Sequence, residues 1–340
     1  MNALRLLLLA TPLLFGWLVF PSAADAATTC SAQMTNLQFG SVDDTGYAAT
    51  TGTLSWQCDT FEIFRAQSPA HIKLCFAIGA GSASGSSVGS RLMRNPNGDP
   101  LSFDISQDPA HSTPWTDSTT PPSSAQASGS YTLSTAIIIL ITTGNGSGSM
   151  PVYARIPAQS LAAGTYEATF SGANARIVYR YGYGSGNVPA NCTTGGSGGG
   201  STTITFTTSA NVPGLCHIST ASDLEFGNNP GTITDNIDGT SAISMQCRNR
   251  TAWQVGLDNG MNALGNVRRM RSASGGSYVN YELYRNSSRT TRWGNSRNVD
   301  TFTGTGYGEP QTLTVHGRVP APQSALPGSY SDVVTVTVTY

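Results

Sequence analysis

Charge is what this chain of 340 residues has least of. Asp, Glu, Lys and Arg together make up 11% of it, against a usual ~25%. Lysine occurs once, at Lys73, and the other basic residues are arginines. The net charge of −1 supplies no basic field for a polyanion, so nucleic acid is excluded as a partner. Histidine is scarce as well: four residues, far apart, with no Cys-x-x-Cys anywhere, give no zinc pattern. Enzyme signatures are missing too. Gly-x-Ser-x-Gly occurs only within the Gly/Ser-rich runs Gly85–Gly89 and Gly195–Gly199, and there is no His-Glu-x-x-His and no Gly-x-x-x-x-Gly-Lys. His71 and His111 read as surface histidines, since nothing in the spacing favours a catalytic pairing with Asp104 or Asp108. Asp43-Asp44 and Asp235-Asn-Ile-Asp238 read as turn residues, since neither forms a Ca2+ loop. The expectation is a non-enzyme without cofactor or metal.

Long apolar runs are confined to the N-terminus. Arg5, then Leu6 to Phe20, then Ala24-Asp-Ala26 has the layout of a secretory signal cleaved after Ala26. Ser134-Thr-Ala-Ile-Ile-Ile-Leu-Ile-Thr142 is too short for a bilayer and reads as a buried strand. What the chain has in plenty is Gly, 38 residues, with much Thr and Ser, as in short strands and long loops. The C-terminal Val333-Val-Thr-Val-Thr-Val-Thr-Tyr340 alternates strictly and carries Val334, Val336, Val338 and Tyr340 on one face, the mark of a half-buried strand.

The chain repeats itself. Cys30, Leu37-Gln-Phe39-Gly40 and Gln57-Cys58 are matched by Cys216, Leu224-Glu-Phe226-Gly227 and Gln246-Cys247. Val152-Tyr-Ala-Arg155-Ile-Pro157 is matched by Val315-His-Gly-Arg318-Val-Pro320, and Gly164-Thr-Tyr166 by Gly328-Ser-Tyr330. Order-preserving matches indicate an internal duplication. Six cysteines in an exported chain imply disulfides. The duplication pairs Cys30 with Cys58 and Cys216 with Cys247. Cys75 and Cys192, which have no counterparts, pair by elimination, a connectivity that sequence alone does not prove. The division expected is a signal at 1–26, a first domain at 27–192, a flexible Gly/Ser linker at 193–202 and a second domain at 203–340. Ala80–Ser90, Asp108–Gly129 and Thr143–Pro151 read as long irregular loops of the first domain. The arginines Arg268, Arg269, Arg271, Arg285, Arg289, Arg292 and Arg297 read as a solvated face, and Trp253 and Trp293 as packing aromatics.

These residues resemble a family. The Cys…Leu-x-Phe-Gly…Gln-Cys pattern leads the resemblance, with Arg269-Met-Arg271, Tyr281-Glu-Leu-Tyr284 and Trp293-Gly-Asn. Val315-His-Gly-Arg-Val-Pro320 and Pro327-Gly-Ser-Tyr-Ser-Asp332 complete it. Together they are similar to the spore coat U domain, the pilin of archaic chaperone–usher pili. The likeness covers essentially all of the second half and, more weakly, the first. A variant domain followed by a pilin domain is similar to the tip adhesin of such pili. The resemblance implies an all-β chain of two immunoglobulin-like β-sandwich domains in tandem, the C-terminal one lacking its last strand. It implies a periplasmic chaperone, an outer-membrane usher and an adjacent pilin as partners, the last by donor-strand complementation. It also implies export through the periplasm to a pilus tip on the cell surface, and attachment to an abiotic or host surface. The apolar fingertip candidates are Val88, Trp115, Met150 and Val152. Rival readings are a glycan-binding, lectin-like tip and a purely structural coat or minor pilin subunit. With almost nothing before Cys30 and nothing after the strand ending at Tyr340, the chain is expected to accept a donor strand but not give one. The first domain also needs its sheet completed. Ile204 to Val212, with Ile204 and Phe206 on its apolar face, is expected to double back and do so; the alternative is an ordinary first strand of the second domain.

Overall fold

The computed structural model describes residues 27–43, 45–63, 68–120, 124–136 and 141–340. The expected signal at 1–26 lies outside them, as do Asp44 and residues 137–140 of the Ser134–Thr142 stretch. The described chain is all-β apart from one 3-10 turn at Gly172–Asn174, and it forms two β-sandwiches. The first contains β1 (Ala27–Met34), β2 (Leu37–Ser41), β3 (Ala48–Ile63), β4 (Pro69–Ile78), β5 (Arg91–Arg94), β6 (Pro100–Ser106) and β7 (Ala125–Thr132). It continues with β8 (Ser134–Ala136), β9 (Ile141–Ile156), β10 (Gly164–Phe170), β11 (Ala175–Tyr183), β12 (Gly198–Thr203) and β13 (Phe206–Val212). The second contains β14 (Cys216–Ala221), β15 (Thr232–Ile233), β16 (Ile237–Cys247), β17 (Ala252–Leu257), β18 (Arg268–Ser272) and β19 (Tyr278–Tyr284). It closes with β20 (Phe302–Thr305), β21 (Pro310–Val319), β22 (Gln323–Ser324), β23 (Tyr330–Ser331) and β24 (Val336–Thr339).

In the first sandwich one sheet runs β1-β3-β9-β6-β5-β10-β13-β2, and β12-β11-β4-β7 faces it. In the second, β14-β16-β21-β19-β18-β23 faces β20-β17-β24. Alternation explains the layers. Leu54, Trp56 and Cys58 of β3 point inward while their neighbours face out, and Ile72, Leu74 and Phe76 of β4 meet them from the other sheet. The disulfides are Cys30–Cys58, Cys75–Cys192 and Cys216–Cys247. The first and third join directly opposed residues of neighbouring strands. Cys75–Cys192 ties the segment after β11 to the middle of β4.

Three stretches differ from their expected form, and glycine explains two of them. Thr143–Pro151 is not a loop but part of β9, paired along its length with β3. A Cβ at Gly146 would lie 2.4 Å from the Tyr131 ring and one at Gly148 2.6 Å from the Trp56 ring, so the glycines let aromatic rings lie across the strand. The expected linker is likewise partly strand: Gly198–Ser201 belong to β12, paired with β11. The Tyr181 and Tyr179 hydroxyls sit 2.4 and 2.6 Å from where a Cβ on Gly198 and Gly200 would be. Nor do the sheets divide at residue 203. Thr203 and Phe206–Val212 are laddered into the first sandwich, and the chain crosses to the second between Val212 and Cys216. The third stretch, Ser134–Thr142, is not one strand, because Ser134–Ala136 pairs antiparallel with Ile141–Thr143.

Trp115 and Val152 are not fingertips. Both side chains are fully buried. Val152 is an inward residue of β9. Trp115 is fixed by its Nε1–H donating to the Ser106 carbonyl at 2.9 Å and its backbone N–H donating to Ile105. The Arg91 guanidinium donates to the carbonyls of Trp115, Ile78 and Gly79. The second sandwich repeats this: Arg268 donates to the carbonyls of Trp293, Leu257 and Asp258. Trp115 is therefore the counterpart of Trp293, a strut between sheets. Burial lowers the Arg91 pKa to about 10, opposed by the charges of Asp104 and Asp117, so it stays charged at neutral pH. The supposed solvated face is largely structural as well. Arg268 is buried and paired with Glu282, Arg292 bridges Glu282 and Asp300, and Arg289 and Arg318 share Asp238. Arg271 and Arg297 do face solvent.

β13 ties the first core together. Phe206 stacks on Phe170 with ring centroids 4.6 Å apart and is 1% exposed. Phe206→Ala is expected to destabilise the first sandwich by about 3–5 kcal/mol, read as a lowered denaturant midpoint for that domain with the second domain's transition unmoved.

Candidate functional site: an open slot and an apolar end

In the first sandwich β13 lies between two strands. It runs antiparallel to β10, with Phe170 opposite Phe206, Ala168 opposite Thr208, Tyr166 opposite Ala210 and Gly164 opposite Val212. It runs parallel to β2, with Thr208 beside Leu37. β12 meanwhile ladders onto β11 in the other sheet. The segment 198–212 thus shadows β11 and β10 in turn, crossing from one sheet to the other. Ile204, Phe206, Thr208, Ala210 and Val212 all point into the core and are buried.

The duplication locates the same place in the second sandwich. Leu224–Gly227 stands for β2, Gly328–Val334 for β10, and β24, paired with β17, for β11, which pairs with β4. Among the described residues no strand lies between Leu224–Gly227 and Tyr330–Val334. A cleft of about 520 Å³ is there instead, its walls including Leu224, Phe226, Tyr281, Tyr330, Val334 and Val336. Burial shows the same vacancy. Leu37, Phe170, Ala175 and Ile177 are fully buried, whereas their counterparts Leu224, Val334, Val336 and Val338 are only partly so. Tyr179 is 7% exposed, but its counterpart Tyr340 is 55% exposed. Half-covered valines beside an unpaired strand edge are poor in stability terms, which marks the slot as a place for something extended.

The rim of the slot is held by Asp258. Its Oδ1 accepts the backbone N–H of Thr335 at 3.0 Å and of Gly260 at 2.9 Å. Burial alone would raise its pKa, but those N–H donors and the nearby Arg268 charge outweigh it and hold the pKa below the ordinary carboxylate value.

The other candidates fall elsewhere. Val88 is half-buried in the loop between β4 and β5, and Met150 packs partly buried against the first core. His111 Nδ1 meets Ser106 Oγ at 2.7 Å, and Asp43 Oδ1 accepts from the Thr45 and Tyr47 backbone N–H groups, as a turn residue does. The sequence reading missed the end of β3. There the inward residues Thr60 and Glu62 are polar and buried, while the outward Phe61 and Ile63 are 51% and 48% exposed. The polar layer is bonded: Thr60 Oγ1 meets Thr28 Oγ1 and the Tyr131 hydroxyl, and Thr28 meets the Tyr183 hydroxyl. The apolar phase of β3 therefore flips between Cys58 and Phe61, a signal readable in Leu-Ser-Trp-Gln-Cys-Asp-Thr-Phe-Glu-Ile. This end lies far from the second domain. Contacts to that domain, Asp99 with Arg250 and Ala163 N–H to the Asn249 carbonyl, sit at the opposite end. That end also holds Ala48, the start of β3, ~50 Å from Ile63 by strand rise.

These features define tandem β-sandwiches of duplicated design, one with its slot occupied and one with it open. The chain belongs to the spore coat protein U domain family, whose description matches residues 17–172 and 202–337. It is 30% identical over 145 residues to Protein U of Myxococcus xanthus, covering 38% of this chain and 80% of that protein. Among solved structures it is similar to a chain in the CsuC–CsuE chaperone–tip adhesion subunit complex from the archaic chaperone–usher Csu pili of Acinetobacter baumannii. That match is 18% identical, covers 92% of this chain and 100% of that one, and has a TM-score of 0.44. Another is the CupB6 tip adhesin of Pseudomonas aeruginosa, 11% identical, covering 92% and 95%, with a TM-score of 0.35.

A depressed native pKa at Asp258 stabilises the fold above the ordinary carboxylate value, and that contribution is lost as pH falls through the native value. Asp258→Asn is therefore expected to lower the second domain's stability at neutral pH and to shrink its loss below pH ~4, measured by denaturation across that range.

Proposed function

We propose that this protein is the tip adhesin of a chaperone–usher pilus, exported through the periplasm and displayed on the cell surface. The observation that carries the reading is the contrast between the two slots. The extended segment before the second domain, 198–212, is used within the first domain of its own chain, while the second domain's slot stays open. A subunit of that kind ends a polymer. An adjacent pilin's extended segment fills the second slot by donor-strand complementation. Before that, a periplasmic chaperone covers the slot and an outer-membrane usher hands it on. The family and the named relatives support a binding rather than a catalytic role.

Attachment falls to the end of the first domain farthest from the second. Phe61 and Ile63 are exposed there over a bonded polar layer that holds their strand still. Folding alone gives no reason to place two large apolar side chains outward with Thr and Glu inward. The chemistry suits an apolar surface, abiotic or host, better than a glycan, which would call for a polar pocket.

Two measurements test this. An extended donor peptide added to the purified chain should raise the second domain's thermal transition and leave the first unchanged; no shift would remove the acceptor role. Phe61→Ser with Ile63→Ser should cut attachment to polystyrene at least tenfold, with stability within about 0.5 kcal/mol. Undiminished attachment by that variant would move adhesion to another surface of the molecule.

A further inference from the structure

The first slot, which is occupied, shows what the second would require of its occupant. Several marks fix the register. In the first sandwich Arg91 pairs with Phe103, and in the second Arg268 pairs with Tyr281, so Phe103 and Tyr281 are counterparts. The Phe39–Phe103 and Phe226–Tyr281 centroid distances, 6.0 and 6.2 Å, agree. Counting from Gly164 and Gly328, Ala168 corresponds to Asp332 and Phe170 to Val334. Asn36, whose Oδ1 accepts the Thr207 backbone N–H at 2.9 Å, corresponds to Asp223, which also borders the cleft.

The slots differ in polarity around one inward position of the occupant. In the first, Thr208 lies opposite Ala168 on an apolar wall that includes Phe103 and Phe170, and its hydroxyl donates to the Ala168 carbonyl at 3.4 Å. In the second, that wall carries Asp332 and Tyr281. The Tyr281 hydroxyl donates to Asp332 Oδ2 at 2.7 Å, and Asn262 donates to Oδ1 through its backbone N–H at 3.1 Å and its Nδ2 at 2.9 Å. Burial, then the bond to Asp332, pushes the Tyr281 pKa up, so this hydroxyl keeps its proton and donates. A carboxylate has room for about four hydrogen bonds. Covering it with an apolar side chain removes its water and returns nothing.

We propose that the strand accepted by the second slot lies in the register of β12 and β13 and carries threonine or serine at the inward position facing Asp332 and Tyr281. The hydroxyl donates to the one remaining lone pair of the carboxylate, on Oδ2. Inward positions to either side stay apolar: a larger one faces Val334, which leaves more room than Phe170, and a small one faces Tyr330, as Ala210 faces Tyr166. This rests on the acceptor reading above and specifies the sequence pattern of the partner segment.

The test uses fluorescent peptides copying residues 198–212, with Thr, Val or Lys at the position of Thr208, titrated against the full mature chain by anisotropy. Val334→Arg, which fills the cleft, should abolish binding and so locate it. The Thr peptide should bind about tenfold tighter than the Val peptide, a difference that Asp332→Ala with Tyr281→Phe, copying the first slot, should erase. Equal or tighter binding of the Val peptide to the wild-type chain overturns the proposal while leaving the acceptor reading intact. So does tightest binding by Lys, which would make the carboxylate a charge site. If no peptide binds, both fall. The wild-type comparison decides even if the double variant does not fold.

Discussion

The fold depends on the backbone hydrogen bonds that an edge strand must find. A sandwich built from Leu37–Ser41 on one side and Gly164–Phe170 on the other leaves two facing edges, and each carries N–H and C=O groups that cost free energy when dry and unpaired. In the first domain β13 bonds to both edges at once and, with Ile204 just before it, delivers Phe206, Ala210 and Val212 to the core. The second domain has the same two edges and, among the described residues, nothing between them. Its half-covered valines, its cleft and its exposed Tyr340 all follow from that one vacancy.

Much of this was legible in the sequence, because strict alternation and a repeated set of Cys, Leu-x-Phe-Gly and Gly-x-Tyr positions constrain a β-sandwich tightly. Alternation in Ile204–Val212 marked a strand, and the disulfides Cys30–Cys58 and Cys216–Cys247 followed from the repeat, which left Cys75 for Cys192. What misled were glycines. In Gly198–Ser201 and Thr143–Pro151 composition suggested flexible chain, but the controlling fact is a tyrosine or tryptophan ring on a neighbouring strand, which sequence does not place. Trp115 was misread for a related reason. A long loop suggests exposure, yet a buried arginine holds this loop at the Trp115 carbonyl. The signal was available as a repeat, since Arg91 precedes Trp115 by 24 residues and Arg268 precedes Trp293 by 25. Phe61 and Ile63 escaped notice because an outward apolar residue on a strand looks like an inward one until the phase is carried along from Trp56 and Cys58.

The duplication also shows how one architecture supports two uses. The buried Arg–Trp strut, the first-strand disulfide and the aromatic pair are kept in both halves. The slot itself differs in what covers it and in what faces it: Ala168 against Asp332, Phe103 against Tyr281, Phe170 against Val334. One half is thereby a closed body whose far end can be specialised, and the other a socket.

The path of the chain between the halves has a mechanical consequence. The covalent path for a pull on the second domain enters the first through Val212, along the axis of β13, whose partner strand β10 runs the opposite way. Such a load is shared by the whole ladder in shear rather than opening it one bond at a time from an end. Should the ladder nonetheless slip, the tension passes up β12 to Cys192, where the disulfide to Cys75 hands it to β4 in the middle of the opposite sheet. The first sandwich is thus fastened twice, by a set of weak bonds that yield together and by a covalent stop behind them.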